Sequence, residues 1–208
     1  ASTGLRRILA LTGDDPARTG ADYLADCVNV LARHFSSVGI EVPAMTPEEY
    51  SGLVDAGADS MTMFQETYNE VLYARLHPAG PKRNFRYRLD APRRAAEGGM
   101  RAVTLGPLLG LDDWRRDVLL CALHADFLSR RYPWLEISLS FPRLRPCGEA
   151  TSNANEPAFT PLPISDRHFA QALAAFRCFM PQAGITLSTR EAAELRDKLI
   201  PLGVTRMS

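Results

Sequence analysis

Short apolar runs alternate with longer amphipathic segments along the whole chain. An apolar run that ends at Gly, Pro, Asn or Asp is typical of a buried strand. Such runs lie at residues 7–11, 40–44, 61–64, 101–105, 135–141 and 184–187, and residues 202–204 predict the start of a seventh strand. The spacing leaves room for one helix between each pair of neighbouring strands.

The intervening segments carry apolar residues at helical spacing. The first has Leu24, Val28, Leu31 and Phe35 on one face, and Gly39 is predicted to end it. Further helices are predicted over residues 68–76, 85–97 and 113–131, the last with one buried side formed by Trp114, Val118, Cys121 and Ala125.

Three helix starts have recognisable capping residues. Thr46-Pro47-Glu48-Glu49 predicts a capping box with Pro in the first turn. Ser165 predicts a second cap, and Ser188-Thr189-Arg190-Glu191 predicts another capping box whose helix runs to about Leu199.

Strands that alternate with helices and short turns predict a parallel sheet with right-handed crossovers. We expect an α/β fold, an incomplete (βα)8 TIM-type barrel of about seven strands. An open doubly wound sheet fits less well, since no Gly-rich dinucleotide-binding turn follows the first strand. No linker or internal repeat is visible, so residues 1–208 are predicted to form a single domain.

Composition excludes several classes of function. Lys and Arg number 24, as do Asp and Glu, so the formal net charge is zero and neither nucleic acid nor an anionic membrane is expected as a partner. No apolar run reaches the length of a bilayer span, and a cytoplasmic location is expected.

The cysteines and histidines form no recognisable metal or catalytic motif. Cys27, Cys121, Cys147 and Cys178 are too widely spaced for a zinc ribbon or a cluster-binding loop. Cys27 and Cys121 lie on apolar helical faces, where reduced core thiols are expected. The histidines include no pair at metal-ligand spacing.

Polar residues follow several of the predicted strands. In a parallel barrel, side chains at the carboxyl ends of the strands line the ligand site. Each of these residues alone could be a loop charge or a helix cap, but together they indicate a site for an anionic or zwitterionic small molecule. They are Asp14, Gln65, Glu66, Arg143, Arg145, Thr189 and Arg190. By its pattern, Arg88 is a surface arginine of a helix.

Several motifs resemble those of a known enzyme family. They are Phe64-Gln65-Glu66-Thr67-Tyr68, Phe85-Arg86-Tyr87-Arg88-Leu89, the run from Ser140 to Cys147, Leu187-Ser188-Thr189-Arg190-Glu191 and the run from Arg196 to Leu202. In this order along the chain they resemble the radical S-adenosylmethionine (SAM) tyrosine lyases, in particular the 2-iminoacetate synthases of thiamine thiazole biosynthesis.

The resemblance implies a carbon–carbon lyase. The family cleaves SAM reductively with a 4Fe–4S cluster, and the 5′-deoxyadenosyl radical takes hydrogen from the amino group of L-tyrosine. The Cα–Cβ bond then breaks to give 2-iminoacetate (dehydroglycine) and p-cresol. The protein's part is to align SAM and tyrosine and to exclude water. Thiazole synthase is the functional partner that the resemblance implies.

The resemblance also implies roles for individual residues. Glu66 and Arg88 match positions that contact the amino-acid end of SAM, an acid for the ammonium and an arginine for the carboxylate. Asp14 ends the turn that holds the SAM amino group, where the family usually has glutamate. The segment from Gly106 to Gly110 matches a loop near the adenine.

The residues that bind the tyrosine substrate are inferred from their position on the barrel rim. Arg143 and Arg145 are expected to bind the tyrosine carboxylate, with Ser140 beside them and Gln65 also on the substrate side. An alternative is that one of the two arginines only pairs with a neighbouring acid.

One family motif is absent from the chain. The cluster ligands of the family form a Cys-x3-Cys-x2-Cys loop after the first barrel strand, and the sequence contains no such loop. We expect this chain to be the central and C-terminal part of the barrel, without that strand and without the C-terminal tail. It should therefore hold no metal, be inactive alone, and pair with another copy through exposed sheet edges.

Two other functions remain open. The related tyrosine lyase that supplies carbon monoxide and cyanide for hydrogenase maturation is one, although Arg145-Pro146-Cys147 favours the thiamine enzyme. A non-catalytic scaffold that binds a small ligand is the other.

Overall fold

A computed structural model describes residues 4–13, 15, 17–145 and 161–208. The strands are β1 (Arg7–Leu11), β2 (Ser37–Glu41), β3 (Ser60–Glu66), β4 (Ala102–Pro107), β5 (Glu136–Ser140), β6 (Gly184–Leu187) and β7 (Arg206–Met207). The α-helices are α1 (Ala21–Ala32), α2 (Pro47–Asp55), α3 (Glu70–Leu76), α4 (Phe85–Leu89), α5 (Ala91–Glu97), α6 (Trp114–Arg131), α7 (Asp166–Phe179) and α8 (Ala193–Leu199).

In the described part of the chain the strands form one seven-stranded sheet in chain order, β1 to β7. The pairs β1–β2, β2–β3 and β6–β7 are parallel, with Arg7 opposite Ser37 and Gly39 opposite Ser60. Neighbouring parallel strands that are consecutive in the chain, each pair joined through one or more helices, are the arrangement of a (βα)8 barrel wall. The fold class predicted from the sequence is confirmed.

Three element predictions need correction. Gly39 lies within β2 and does not end α1, which ends at Ala32. A Cβ at residue 39 would lie 3.0 Å from Ser60 Oγ, so the glycine allows the neighbouring strands to pack closely. Residues 85–97 form two helices divided at Asp90, since Pro92 at the start of α5 has no N–H to continue the first. The seventh strand does not start at residues 202–204, as predicted. Residues 200–202 form a 3₁₀ turn, and the strand follows at Arg206–Met207.

Two of the three predicted caps are confirmed. Thr46 and Glu49 form the reciprocal capping box of α2, and the Ser165 side chain accepts from the His168 N–H at the start of α7. The predicted capping box at Ser188 is wrong. Helix α8 begins after Ala192, which makes no side-chain cap, and Glu191 is engaged by arginines instead.

The first of two compact units comprises Ala1–Met63, Ala79–Leu105 and Phe127–Ser138. Helix α2 packs against α1 and α5. Tyr50 and Leu53 of α2 are completely buried, and Arg94 of α5 donates to the carbonyl oxygens of Met45 (2.6 Å) and Tyr87 (2.7 Å). This arginine ties the segment before α2 to the end of α4.

The second unit comprises Phe64–Pro78, Gly106–Asp126 and Leu139–Ser208. Its core includes Phe141, Phe169 and Phe176, and the rings of Phe141 and Phe176 meet edge to face with centroids 6.0 Å apart. The boundaries between the units fall within β3, β4 and β5, so the carboxyl ends of these strands belong to the second unit. The single-domain prediction stays a prediction.

Among the described residues, no helix is both long enough and apolar enough to cross a membrane.

Candidate functional site

The carboxyl end of β3 carries a buried amide without a partner. Burial alternates along β3, which places Met61, Met63 and Gln65 on its buried side. Gln65 is only 3% exposed, and neither its Nε2 nor its Oε1 has a hydrogen-bond partner in the described residues. Leaving buried polar atoms unpaired costs about 1–3 kcal/mol each. An amide that presents both a donor and an acceptor without a partner is suited to bind a polar ligand.

The next residue, Glu66, has a strained backbone. Its φ is 70°, and the Thr67 N–H donates to the Gln65 carbonyl oxygen at 3.0 Å. Positive φ together with an i to i+2 hydrogen bond is the pattern of the rare classic γ-turn. The Glu66 carbonyl oxygen also accepts from the Leu108 N–H at 2.7 Å. Strain of this kind costs about 1–3 kcal/mol and is found most often at functional sites.

A buried carboxylate lies beside this turn. Asp117, in the first turn of α6, accepts hydrogen bonds from the Tyr68 N–H (2.8 Å) and the Thr67 hydroxyl (3.1 Å). Burial raises its pKa to about 6, and the two hydrogen bonds only partly oppose that shift. The Tyr68 hydroxyl lies 3.1 Å from His124 Nδ1, and burial raises the pKa of the neighbouring Cys121 thiol to about 12.

The glycines predicted near the adenine lie where backbones approach closely. Gly106 is in β4, and a Cβ there would collide with the carbonyl oxygen of Ser140, the buried last residue of β5. Gly110 has a φ of 111°, and its Cβ position is 3.2 Å from the Leu144 side chain. Each position therefore requires glycine for a packing or conformational reason.

Arg143 and Arg145 share one buried acid. Arg143 donates through Nε (2.9 Å) and Nη2 to the two carboxylate oxygens of Glu191, and through Nη1 to Asp166 (2.7 Å) and the Ile164 carbonyl oxygen (2.9 Å). These hydrogen bonds raise the pKa of Arg143. Arg145 also donates to Glu191, but its side chain is 43% exposed. Arg145 therefore has more capacity for an additional anion.

Arg88 is not the surface residue that its helical pattern suggests. It lies in α4, in the first unit, and is 8% exposed. A buried guanidinium requires compensating partners, so its position indicates a specific role. Its predicted contact with SAM stays a prediction.

The other predicted residues lie elsewhere. Asp14 is outside the described residues. Thr189 follows β6, and its backbone N–H and side-chain hydroxyl both donate to the Ser208 carbonyl oxygen, at 2.6 and 2.8 Å. Arg190 beside it is exposed. The structure thus gives Thr189 a role in joining the ends of β6 and β7.

Sequence reasoning missed Asp117 and Glu191 as parts of the site. Aspartate in a first helical turn is a common dipole-stabilising residue, and glutamate three residues after serine fits a capping box. Neither pattern predicts burial. The available signal was the apolar side of α6, since Asp117 lies between Trp114, Val118 and Cys121.

The described residues do not fit an iron–sulfur cluster. Among them, no group of three or more His, Cys, Asp or Glu side chains could hold a metal ion. Cys121 is buried as predicted, Cys27 is half-buried and Cys178 is exposed, while Cys147 lies outside the described residues.

Comparison with known proteins identifies relatives along nearly the whole chain. The model of the Biotin and Thiamin Synthesis associated domain matches residues 140–208. The 2-iminoacetate synthase of Escherichia coli (strain K12) is 38% identical over 206 residues, which cover 99% of this chain and 53% of that protein. The Salmonella typhimurium enzyme is 36% identical with the same coverage. The chain thus spans about half the length of the curated relatives it matches.

Solved structures are also similar to nearly the whole chain. HydG, a maturase of the [FeFe]-hydrogenase, is 31% identical with a TM-score of 0.87, covering 99% of this chain and 46% of that one. HydG from Carboxydothermus hydrogenoformans is 33% identical with a TM-score of 0.88 over 99% and 47% of the two chains. Methylornithine synthase, at 17% identity and a TM-score of 0.74, shares the fold, covering 98% of this chain and 57% of that one.

The resemblance inferred from the motifs is confirmed: over nearly all of its length, the chain is homologous to the 2-iminoacetate synthases and to HydG, and it shares the fold of the radical SAM barrel enzymes.

Proposed function

We propose that the chain forms the substrate-holding part of a radical SAM lyase that cleaves the Cα–Cβ bond of L-tyrosine to 2-iminoacetate and p-cresol for the thiazole of thiamine. Homology to two 2-iminoacetate synthases at 36–38% identity supports this activity. The observation that carries the proposal is the end of β3, where the buried Gln65 amide has no hydrogen-bond partner among the described residues and the Glu66 backbone is strained.

SAM is held, in this proposal, through its amino-acid end. Glu66 receives the ammonium group, Arg88 pairs with the carboxylate, and Asp14 contributes to the ammonium side. The charges are complementary, since a zwitterion needs one anionic and one cationic partner. In this proposal the segment from Gly106 to Gly110 borders the adenine through its backbone, because neighbouring parts of the chain already fill the space that a Cβ would take at each of the two glycines.

Tyrosine is held by the residues after β5. Arg145 binds the substrate carboxylate, because the donors of Arg143 are already engaged by Glu191, Asp166 and a backbone carbonyl. Arg143 then orients Glu191, and Glu191 orients Arg145. Gln65 contributes its amide to the substrate side, and Ser140, whose carbonyl oxygen packs against Gly106, also lies on the substrate side in this proposal.

The 4Fe–4S cluster that the family uses would initiate the reaction by reductive cleavage of SAM. The described residues offer no ligand set for it. We therefore propose that the cluster ligands lie outside these residues, and that the described residues bind and orient the two amino acids and exclude water from them. Thiazole synthase as the partner enzyme and pairing between copies of the chain are further parts of the proposal.

The reaction is tested with a chimaera, in which this chain replaces the matching segment of the Escherichia coli 2-iminoacetate synthase. After anaerobic reconstitution with iron and sulfide, L-tyrosine should yield p-cresol and 5′-deoxyadenosine in equal amounts, whereas this chain alone should yield neither. A chimaera that binds iron and cleaves SAM but forms no p-cresol would contradict the proposal.

The hydrogenase-maturation lyase is the second candidate, because both HydG structures superpose on 99% of the chain. A parallel chimaera in Carboxydothermus hydrogenoformans HydG separates the two. Higher p-cresol turnover in the Escherichia coli background, together with growth of a thiazole-requiring strain, favours the thiamine enzyme. Carbon monoxide and cyanide release at the rate of unmodified HydG favours the maturase.

A further inference from the structure

Asp117 contacts the two residues that directly follow Glu66. One oxygen, Oδ1, accepts both from the Tyr68 backbone N–H at 2.8 Å and from the Thr67 hydroxyl at 3.1 Å. Asp117 and Thr67 are both completely buried. A buried ionised acceptor makes hydrogen bonds roughly twice as strong as a neutral one, so these two contacts constrain the chain firmly.

The constraint extends beyond this pair. Thr67 Oγ1 accepts from the Asn69 N–H at 3.1 Å, and Asn69 Oδ1 accepts from the Leu72 N–H at 3.1 Å, which caps α3. Asn69 Nδ2 also donates to Asp112 at 2.9 Å. The segment after β3 is therefore joined on one side to the start of α3 and on the other to the start of α6.

The same face of α6 also holds the Tyr68 ring. Asp117, Cys121 and His124 lie at helical spacing, and the Tyr68 hydroxyl is 3.1 Å from His124 Nδ1. Tyr68 is thus fixed at its backbone by Asp117 and at its hydroxyl by His124. Helix α6 acts as the support for the whole segment.

This support is needed because the conformation before it is unfavourable. Glu66 has a φ of 70°, and a strained residue persists only where its surroundings over-determine it. On the carboxyl side of Glu66, the contacts of Asp117 with Thr67 and Tyr68 oppose relaxation to negative φ, in addition to the hydrogen bond from the Leu108 N–H to the Glu66 carbonyl oxygen. Relaxation would rotate Gln65 and Glu66 relative to each other.

We infer that Asp117 is a positioning residue, which keeps the turn at Glu66 in the strained conformation that presents the Gln65 amide and the Glu66 carboxylate to the ligand. The inference rests on the proposed function in that Gln65 and Glu66 bind substrate or SAM. Asp117 itself touches neither ligand in this account.

Amide hydrogen exchange of this chain tests the positioning directly. Asp117→Ala should speed exchange of the Thr67 and Tyr68 amides about 10- to 100-fold beyond the change at core amides such as that of Ile185. Asp117→Asn keeps an acceptor oxygen and should remain within about threefold of wild type. Asp113→Asn, which removes an exposed charge at the start of the same helix and keeps the side-chain oxygen that accepts from the Arg115 N–H, is the matched control.

Two results would overturn the inference: equal effects of the Ala and Asn substitutions, or a change at Thr67 and Tyr68 no larger than at the core amides. If Asp117→Ala does not fold, Thr67→Val removes, at nearly constant volume, the hydroxyl that donates to Asp117 and accepts from the Asn69 N–H, and it keeps the bond from the Tyr68 N–H to Asp117. It should speed exchange of the Thr67 amide about tenfold, and an unchanged rate would again contradict the role.

The functional arm uses the chimaera. Asp117→Ala should raise the KM for SAM or tyrosine at least tenfold, and Asp117→Asn should restore it; unchanged KM values in both would refute the link to binding. If the chimaera with the wild-type segment forms no p-cresol, the proposed function fails, while the exchange measurements still decide the role of Asp117.

Discussion

Replacing Asp117 with asparagine should change how the stability of this chain depends on pH. The carboxyl is buried among the apolar residues of α6, and its pKa is raised from 3.8 to about 6, chiefly by burial. Asp112 raises it further, whereas the hydrogen bonds from Tyr68 and Thr67 lower it. Asparagine retains the acceptor oxygen and cannot ionise, so it removes the titration and keeps the geometry.

The sign follows from which state holds the proton more tightly. The folded chain binds a proton at Asp117 up to about pH 6, whereas the unfolded chain releases it near pH 4. The contribution of Asp117 to the free energy of unfolding is therefore fully present below about pH 4 and is lost as the pH rises through 6. A pKa difference of about 2 corresponds to about 3 kcal/mol, because each pKa unit is worth about 1.36 kcal/mol.

Urea unfolding at pH values from 4.5 to 7.5 measures this loss. The free energy of unfolding of the wild type, relative to Asp117→Asn, should fall by about 2 kcal/mol across that range, since part of the full effect lies below pH 4.5. Asp113→Asn sets the background for one lost surface charge on the same helix. A wild-type-minus-variant difference that stays constant within about 0.5 kcal/mol would show that the buried carboxyl does not titrate as argued.

Other predictions concern stability at neutral pH. Gly106→Ala should lower the free energy of unfolding by about 3 kcal/mol, because the added Cβ would collide with a backbone carbonyl oxygen. Gly52→Ala, at a position of α2 with open space around the Cβ, should raise the free energy of unfolding by about 0.5–1 kcal/mol. Glu191→Gln should cost about 3 kcal/mol, since it removes the buried anion of the pair and leaves Arg143 with only the exposed carboxylate of Asp166. Thr46→Ala should cost about 1 kcal/mol through loss of the capping box. Urea unfolding measures all four.

Each of these has a contradicting outcome. Equal free energies of unfolding for Gly106→Ala and Gly52→Ala would show that the backbone around residue 106 shifts easily to accept a Cβ. A loss below about 1 kcal/mol for Glu191→Gln would mean that Asp166 and solvent compensate the charge of Arg143 without Glu191. No loss for Thr46→Ala would mean that water replaces the cap.

Sequence patterns predicted the sheet well because strand and helix periodicities are local properties. The run at residues 7–11 and the run at residues 184–187 correspond to β1 and β6 without change. Gly39 was misassigned because glycine ends helices and also permits close sheet packing, and only the distance to Ser60 distinguishes the two.

The site was harder to predict, because its chemistry depends on burial and on pairing between distant segments. Glu191 lies 48 residues from Arg143 in the chain, and no local pattern predicts that they form a buried pair. The unpaired state of Gln65 and the strain at Glu66 are likewise properties of the folded chain. Motif resemblance located these residues, and the structure supplied the reason for their chemistry.

The measurement that tests the central claim most directly is p-cresol formation from L-tyrosine by the chimaera carrying Gln65→Leu. Leucine removes a buried amide that has no hydrogen-bond partner among the described residues. The free energy of unfolding of this chain should therefore be about 1 kcal/mol higher with Gln65→Leu than in the wild type. If Gln65 holds a ligand, p-cresol formation at fixed, subsaturating SAM and tyrosine should nevertheless fall at least tenfold. Unchanged p-cresol formation would contradict a ligand-binding role for the end of β3.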